Sequence, residues 1–82
     1  MKVHDIKLQQ QFCDAVYRGK KTFEVRKNDR DYQVGDVIRF IPIDNNGRQL
    51  PHPIRNASYI ITYLLNDYGL RKGYVALAIK RI

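Results

Sequence analysis

The sequence predicts a small, mainly β domain with a single helix, its five short strands wrapped into a barrel (an α+β arrangement dominated by β). Three observations carry this. Five short stretches that alternate or run apolar are spread over only 82 residues, the last four of them bounded by glycine, asparagine or aspartate, and strands at that spacing point to a barrel. Only one stretch, just before Gly19, has apolar residues at helical spacing. The length suits one domain, residues 1–82, and not two.

Val3 to Leu8 alternates. His4, Ile6 and Leu8 share one face and Asp5 and Lys7 take the other, as in a half-buried strand. Gln9 to Arg18 reads as a helix, with Phe12, Ala15 and Val16 at i, i+3 and i+4 and Cys13 and Tyr17 beside them. Gly19 stops it and Arg18 sits at the negative end of its dipole, whereas no good N-cap residue stands at its start. Lys20 to Lys27 alternates again: Lys21, Phe23 and Val25 form an apolar face, and Lys20, Thr22, Glu24 and Arg26 a charged one. After the Asn28-Asp29 turn, Val34-Gly35-Asp36 leads into a third strand, Val37 to Ile43. Asp44 to Gly47 is a hairpin-type loop, and Arg48 to Asn56, with Pro51 and Pro53, is a loop or broken edge. Ala57 to Leu65 is a nearly continuous apolar strand interrupted by Thr62; a loop with Gly69 and Gly73 then leads to the last strand, Tyr74 to Ile82. The lone helix is expected to plug one end of the barrel.

Hydrophobic residues make up 44% of the chain, enough for a core. No apolar run approaches the ~20 residues of a membrane span, and Met1 to Asp5 has no signal-peptide character. Cys13 is the only cysteine, which excludes an internal disulfide; these features predict a cytoplasmic protein without a membrane partner. One cysteine and two unclustered histidines, His4 and His52, predict no metal site, and nothing in the sequence calls for a cofactor. The net charge of +7 is uneven: residues 1–44 carry +2 and residues 45–82 carry +5, with Asp67 the only acid in the second part. Such a basic surface attracts phosphates, although it also serves solubility.

Gly19-Lys20-Lys21-Thr22-Phe23-Glu24-Val25-Arg26 resembles the Gly-x-Lys-x-x-Glu-x-Arg signature of the ASCH superfamily. His4-x-Ile6-Lys7, Asn28-Asp29, Val34-Gly35-Asp36 and Gly73-Tyr74-Val75-x-Leu77 extend the likeness over nearly the whole chain, toward a compact bacterial and phage subgroup of unassigned function. The resemblance implies a PUA-like β-barrel with a cleft beside the helix, and roles connected with RNA. Some relatives look like amidohydrolases that deacetylate N4-acetylcytidine with a lysine, a threonine and a glutamate. Here Glu24 stands where those relatives have the threonine, and the only acid after Asp44 is Asp67, so the expected role is binding; Lys21 is the catalytic candidate if the chain is an enzyme.

Glu24, the only glutamate, is the expected acceptor for a ligand amino group, with a strand ion pair as the plainer alternative. Arg26 either forks onto an anion or holds Glu24 in place. Lys21 takes the lysine position of the signature, yet alternation puts it opposite Glu24 unless the strand starts later or bulges. Thr22, on the Glu24 face, His4, Lys7 and Asn28 complete the expected ligand-binding group, and Asp29 borders it by resemblance. Tyr68, Arg71 and Lys72, in the glycine-flanked loop, form the expected nucleic-acid surface. RNA or a nucleotide is therefore the expected partner; a protein-interaction domain with a solvated charged strand is the reading from another class.

Overall fold

The computed structural model describes residues 1–82. The strands are β1 (Val3–Gln9), β2 (Phe23–Lys27), β3 (Val37–Ile43), β4 (Ser58–Leu65) and β5 (Tyr74–Arg81), with helix α1 (Gln10–Tyr17) and a 3-10 turn at Pro53–Asn56. All five strands join one sheet in the order β1-β3-β4-β5-β2. β1 runs parallel to β3, and every other pairing is antiparallel. The result is the small, mainly β fold with one α-helix that the alternation predicts.

The sheet curls into a half-barrel. Its terminal strands, β1 and β2, share no ladder. Side chains join them instead: Arg26 donates to the Lys7 carbonyl, and Arg30 Nη1 donates to the Asp5 carbonyl at 3.1 Å. The cleft described below lies along this seam.

Alternation explains most of the interior. His4, Ile6 and Leu8 of β1 lie in register with Ile38, Phe40 and Pro42 of β3, and all six are buried. Tyr59 and Ile61 of β4, and Val75, Leu77 and Ile79 of β5, complete the wall. Each such aliphatic side chain contributes roughly 1.5–3 kcal/mol on burial. β4 keeps its parity only as far as Ile61. A register shift between Ile61 and Tyr63 skips Thr62, so Leu64 turns toward Leu77 while Tyr63 and Leu65 face outward opposite Ala78 and Ala76.

α1 closes one side of the interior with Cys13 and Val16. Phe12, expected in the helix's apolar stripe, is instead 37% exposed at the cleft rim. The missing N-cap is observed: Gln9 precedes the helix without a side-chain cap bond. At the other end Gly19 takes φ +77°, and the Lys20 N–H returns to the Ala15 carbonyl at 2.9 Å. Nothing lies within 4 Å of a Cβ placed on Gly19. Gly19→Ala is therefore expected to cost about 1 kcal/mol through backbone strain alone, measured as a shift in urea unfolding midpoint at unchanged m.

Candidate functional site

A cleft of about 800 Å³ lies between α1, the loop after β2 and the β1–β2 seam. Its position follows from the unpaired seam, where a closed barrel would have had a ladder. Glu24 stands at its base, one of few buried charged residues, at 4% exposure. Lys21 Nζ donates to Glu24 Oε1 at 2.5 Å, and Arg26 Nε donates to Oε2 at 3.0 Å. Each carboxylate oxygen thus has its own cation, which offsets the desolvation of a buried charge. Because Arg26 also reaches the Lys7 carbonyl, one guanidinium ties Glu24 to the opposite strand.

Phe23 is the first residue of β2, so Lys21 lies before the strand and is not bound by its alternation. The Lys21 backbone N–H donates to the Ala15 carbonyl, and its side chain crosses to the Glu24 side. That resolves the parity conflict by the first of the two routes. The Lys21 ammonium also donates to the Phe23 carbonyl and lies 5.2 Å and 4.9 Å from the ring centres of Phe12 and Phe23. β2 itself is inverted relative to an ordinary amphipathic strand: Glu24 is buried and Arg26 half-buried, while Phe23 and Val25 are each 49% exposed.

Tyr32 forms another wall, although the sequence did not single it out. Burial pushes its phenol up, against the opposing pull of Arg26 and Arg30. Two residues expected to touch a ligand hold Tyr32 instead. His4 packs against the Tyr32 ring with centroids 4.7 Å apart, and the Asn28 side-chain carbonyl accepts from the Tyr32 N–H at 3.1 Å. Neither residue lines the cleft. His4 is 5% exposed because its alternation turns it inward, where Nε2 pairs with Asp36 Oδ2 at 2.9 Å.

Thr22 is also displaced from its expected place. It precedes β2, is exposed, and its carbonyl accepts from the Ile79 N–H at 3.0 Å. It lines a smaller cavity of about 360 Å³ on the far side of Lys21, between α1 and the end of β5. Lys7 does line the main cleft, together with Asp29 and with Lys27 and Arg30, which sequence reasoning passed over. The cleft walls thus carry the cations Lys7, Lys21, Arg26, Lys27 and Arg30 against Glu24 and Asp29. The signal for Arg30 was its place in the turn after the octad; nothing marked its reach back to β1.

Tyr68 is 90% exposed, and Arg71 and Lys72 are exposed beside it. None of the three lines the cleft, and their loop is tied to the segment after β2, where the Asn28 N–H donates to the Gly73 carbonyl at 2.8 Å. Cys13 is buried, its Sγ near the Leu8 and Gln9 carbonyls. Burial, then Asp14 and Glu24, push its thiol up, an environment that disfavours a nucleophilic thiolate. The histidines pair separately, His4 with Asp36 and His52 with Asp14, and no three His, Cys, Asp or Glu side chains converge. No helix is long and apolar enough to cross a membrane.

Comparison with known proteins agrees on the fold and assigns no activity. The chain is similar over its full length to the crystal structure of the hypothetical protein PH0355, also over that protein's full length, with TM-score 0.63 and 19% identity. It is 46% identical over 37 residues to an uncharacterized 12.9 kDa protein in the GpA 3′ region of Escherichia phage P2. That stretch is 45% of this chain and 34% of the phage protein, so the chain matches about a third of that relative's length. The family described as a domain of unknown function, DUF3850, matches residues 3–79. With nearly every element of the half-barrel inside that match, the chain belongs to the DUF3850 family.

Proposed function

We propose that the chain binds RNA, or a nucleotide drawn from it, with one base seated in the cleft over Glu24 and its phosphates toward Lys7, Lys27 and Arg30. The observation that carries this reading is the buried Glu24 carboxylate, held by Lys21 and Arg26 at the base of an open, cation-rich cleft with aromatic walls. A fixed carboxylate reads exocyclic amino groups, and Phe12 and Phe23, both exposed at the cleft, supply flat apolar surface. The resemblance of the octad to the ASCH signature, and with it a PUA-like barrel, supports the same reading. Lys21 has two acceptors, Phe23 O and Glu24 Oε1, which favours a role in holding Glu24 over one in attacking a substrate.

The test is titration of the four nucleoside monophosphates and of short single-stranded RNA against the parent and Glu24→Gln. The variant is expected to change the preference among bases, because an amide presents a donor where the carboxylate presents only acceptors. Equal affinity of parent and variant for every base would refute the role of Glu24. The basic loop makes a separate prediction. Arg71→Ala with Lys72→Ala should flatten the salt dependence of RNA binding by about 0.7 log units per log unit of salt for each phosphate that is no longer neutralised. Glu24→Gln should leave that slope nearly unchanged, because base contacts specify and phosphate contacts position. Binding that ignores salt would favour a protein-interaction domain.

A further inference from the structure

The outer face of β2, β5 and β4 forms a shallow trough that no part of the proposed cleft uses in full. Pairing sets Phe23 beside Ala78 and Ala78 beside Tyr63, then Val25 beside Ala76 and Ala76 beside Leu65. The walls are exposed: Phe23 and Val25 at 49%, Tyr63 at 64% and Leu65 at 36%. The two alanines between them are half-buried and make a flat floor. Adjacent strands lie about 4.8 Å apart, so the backbones carrying Phe23 and Tyr63 stand roughly 10 Å apart across Ala78. α1 and the 3-10 turn pack elsewhere, on β1 and β3. Tyr74, beside Lys27, closes one end, with the Arg71 guanidinium 5.8 Å from its ring centre.

We propose that this trough is a stacking platform for single-stranded RNA, continuous with the cleft across the edge strand β2. The proposal rests on the nucleotide reading of the cleft and extends it from one base to a strand. Three features point to this occupant. Aromatic rings stand out from a sheet face over small residues, the arrangement on which splayed bases stack. The rim is cationic: Lys27, Arg71, Lys72 and Lys80 are exposed around it, and Asp67 is the only acid after Asp44. The two surfaces meet, since Phe23, Val25 and Lys27 of the outer face also line the cleft. A second copy of the chain is the poorer occupant, because both faces would bring the same positive rim together.

The experiment measures two ligands on the intact chain: a labelled single-stranded RNA of about eight nucleotides, long enough to leave the cleft, and the nucleoside monophosphates. Tyr63→Leu keeps an apolar side chain and removes the ring, and at this exposed position folding is checked by an unchanged thermal melt. It is expected to weaken the RNA about tenfold, the loss of one stacked base, and to leave the mononucleotides unaffected. Glu24→Gln is expected to alter the preference among the mononucleotides. If no mononucleotide binds but the RNA still depends on Tyr63, the cleft reading fails and the platform stands. If Tyr63→Leu binds the RNA like the parent, or the parent binds none, the platform is overturned. Self-association of the parent that Tyr63→Glu abolishes, without an effect of Tyr63→Leu on RNA, assigns the face to a second copy and overturns it as well.

Discussion

Replacing Glu24 with alanine is expected to remove ligand selectivity in the cleft and to destabilise the fold by about 2 kcal/mol. Removing one member of a buried ion pair costs roughly 3–5 kcal/mol, because the partner charge stays buried and unpaired. Here the partners are less confined: the Lys21 and Arg26 side chains are 19% and 25% exposed and can turn toward water, which lowers the figure. Arg26 also loses its anchor while still spanning the seam to the Lys7 carbonyl. Glu24→Gln keeps an acceptor oxygen and should cost clearly less. Urea unfolding of the parent and both variants measures the ranking; an alanine variant as stable as the parent would show that the triad adds nothing to the fold.

Asp36→Ala should be at least as damaging, at about 3 kcal/mol. The Asp36 carboxylate is 3% exposed and accepts from the Lys2 N–H and the Gln33 N–H, both at 3.0 Å, and pairs with His4 at 2.9 Å. Truncation leaves those groups without a partner, each costing about 1–3 kcal/mol before water relieves some of them. Burial pushes the Asp36 carboxyl up, but the bonds from His4, Lys2 and Gln33 outweigh it and hold it below the usual range. A carboxyl depressed on folding stabilises fully above its unfolded value of about 3.9, and that contribution is lost as pH falls through the folded value. The parent should therefore lose stability below about pH 4, and Asp36→Asn should flatten that limb. Unfolding midpoints measured from pH 5 downward check this, and parallel curves for parent and variant would exclude Asp36 as a source of the acid sensitivity.

His4 shows how far one sequence could be read. Its alternation with Ile6 and Leu8 correctly places it on the inner face of β1. Whether an inward histidine meets a ligand or an aspartate depends on a partner 32 residues away, and no local pattern encodes that. The octad was more informative, because Lys21, Glu24 and Arg26 meet across only two or three residues of chain. Thr22 sits between them in sequence and still points elsewhere, because the strand begins only at Phe23. β4 was harder. Ala57 to Leu65 reads as a nearly continuous apolar run interrupted by Thr62, and only pairing with β5 reveals the register shift at Thr62 that sends Tyr63 and Leu65 outward. Strand existence follows from composition, whereas facing follows from pairing, and pairing is a long-range property.

A half-barrel open between β1 and β2 leaves two strands whose free backbone groups can recruit a strand from another molecule, the first step toward aggregation. On β1, the guanidinium groups of Arg26 and Arg30 occupy the carbonyls of Lys7 and Asp5. An incoming chain would have to displace two charged donors and bring its own backbone into a cluster of cations. The same arginines that shape the cleft therefore act as gatekeepers of solubility, and substitutions that weaken them put at risk how the protein behaves at high concentration as well as what it binds.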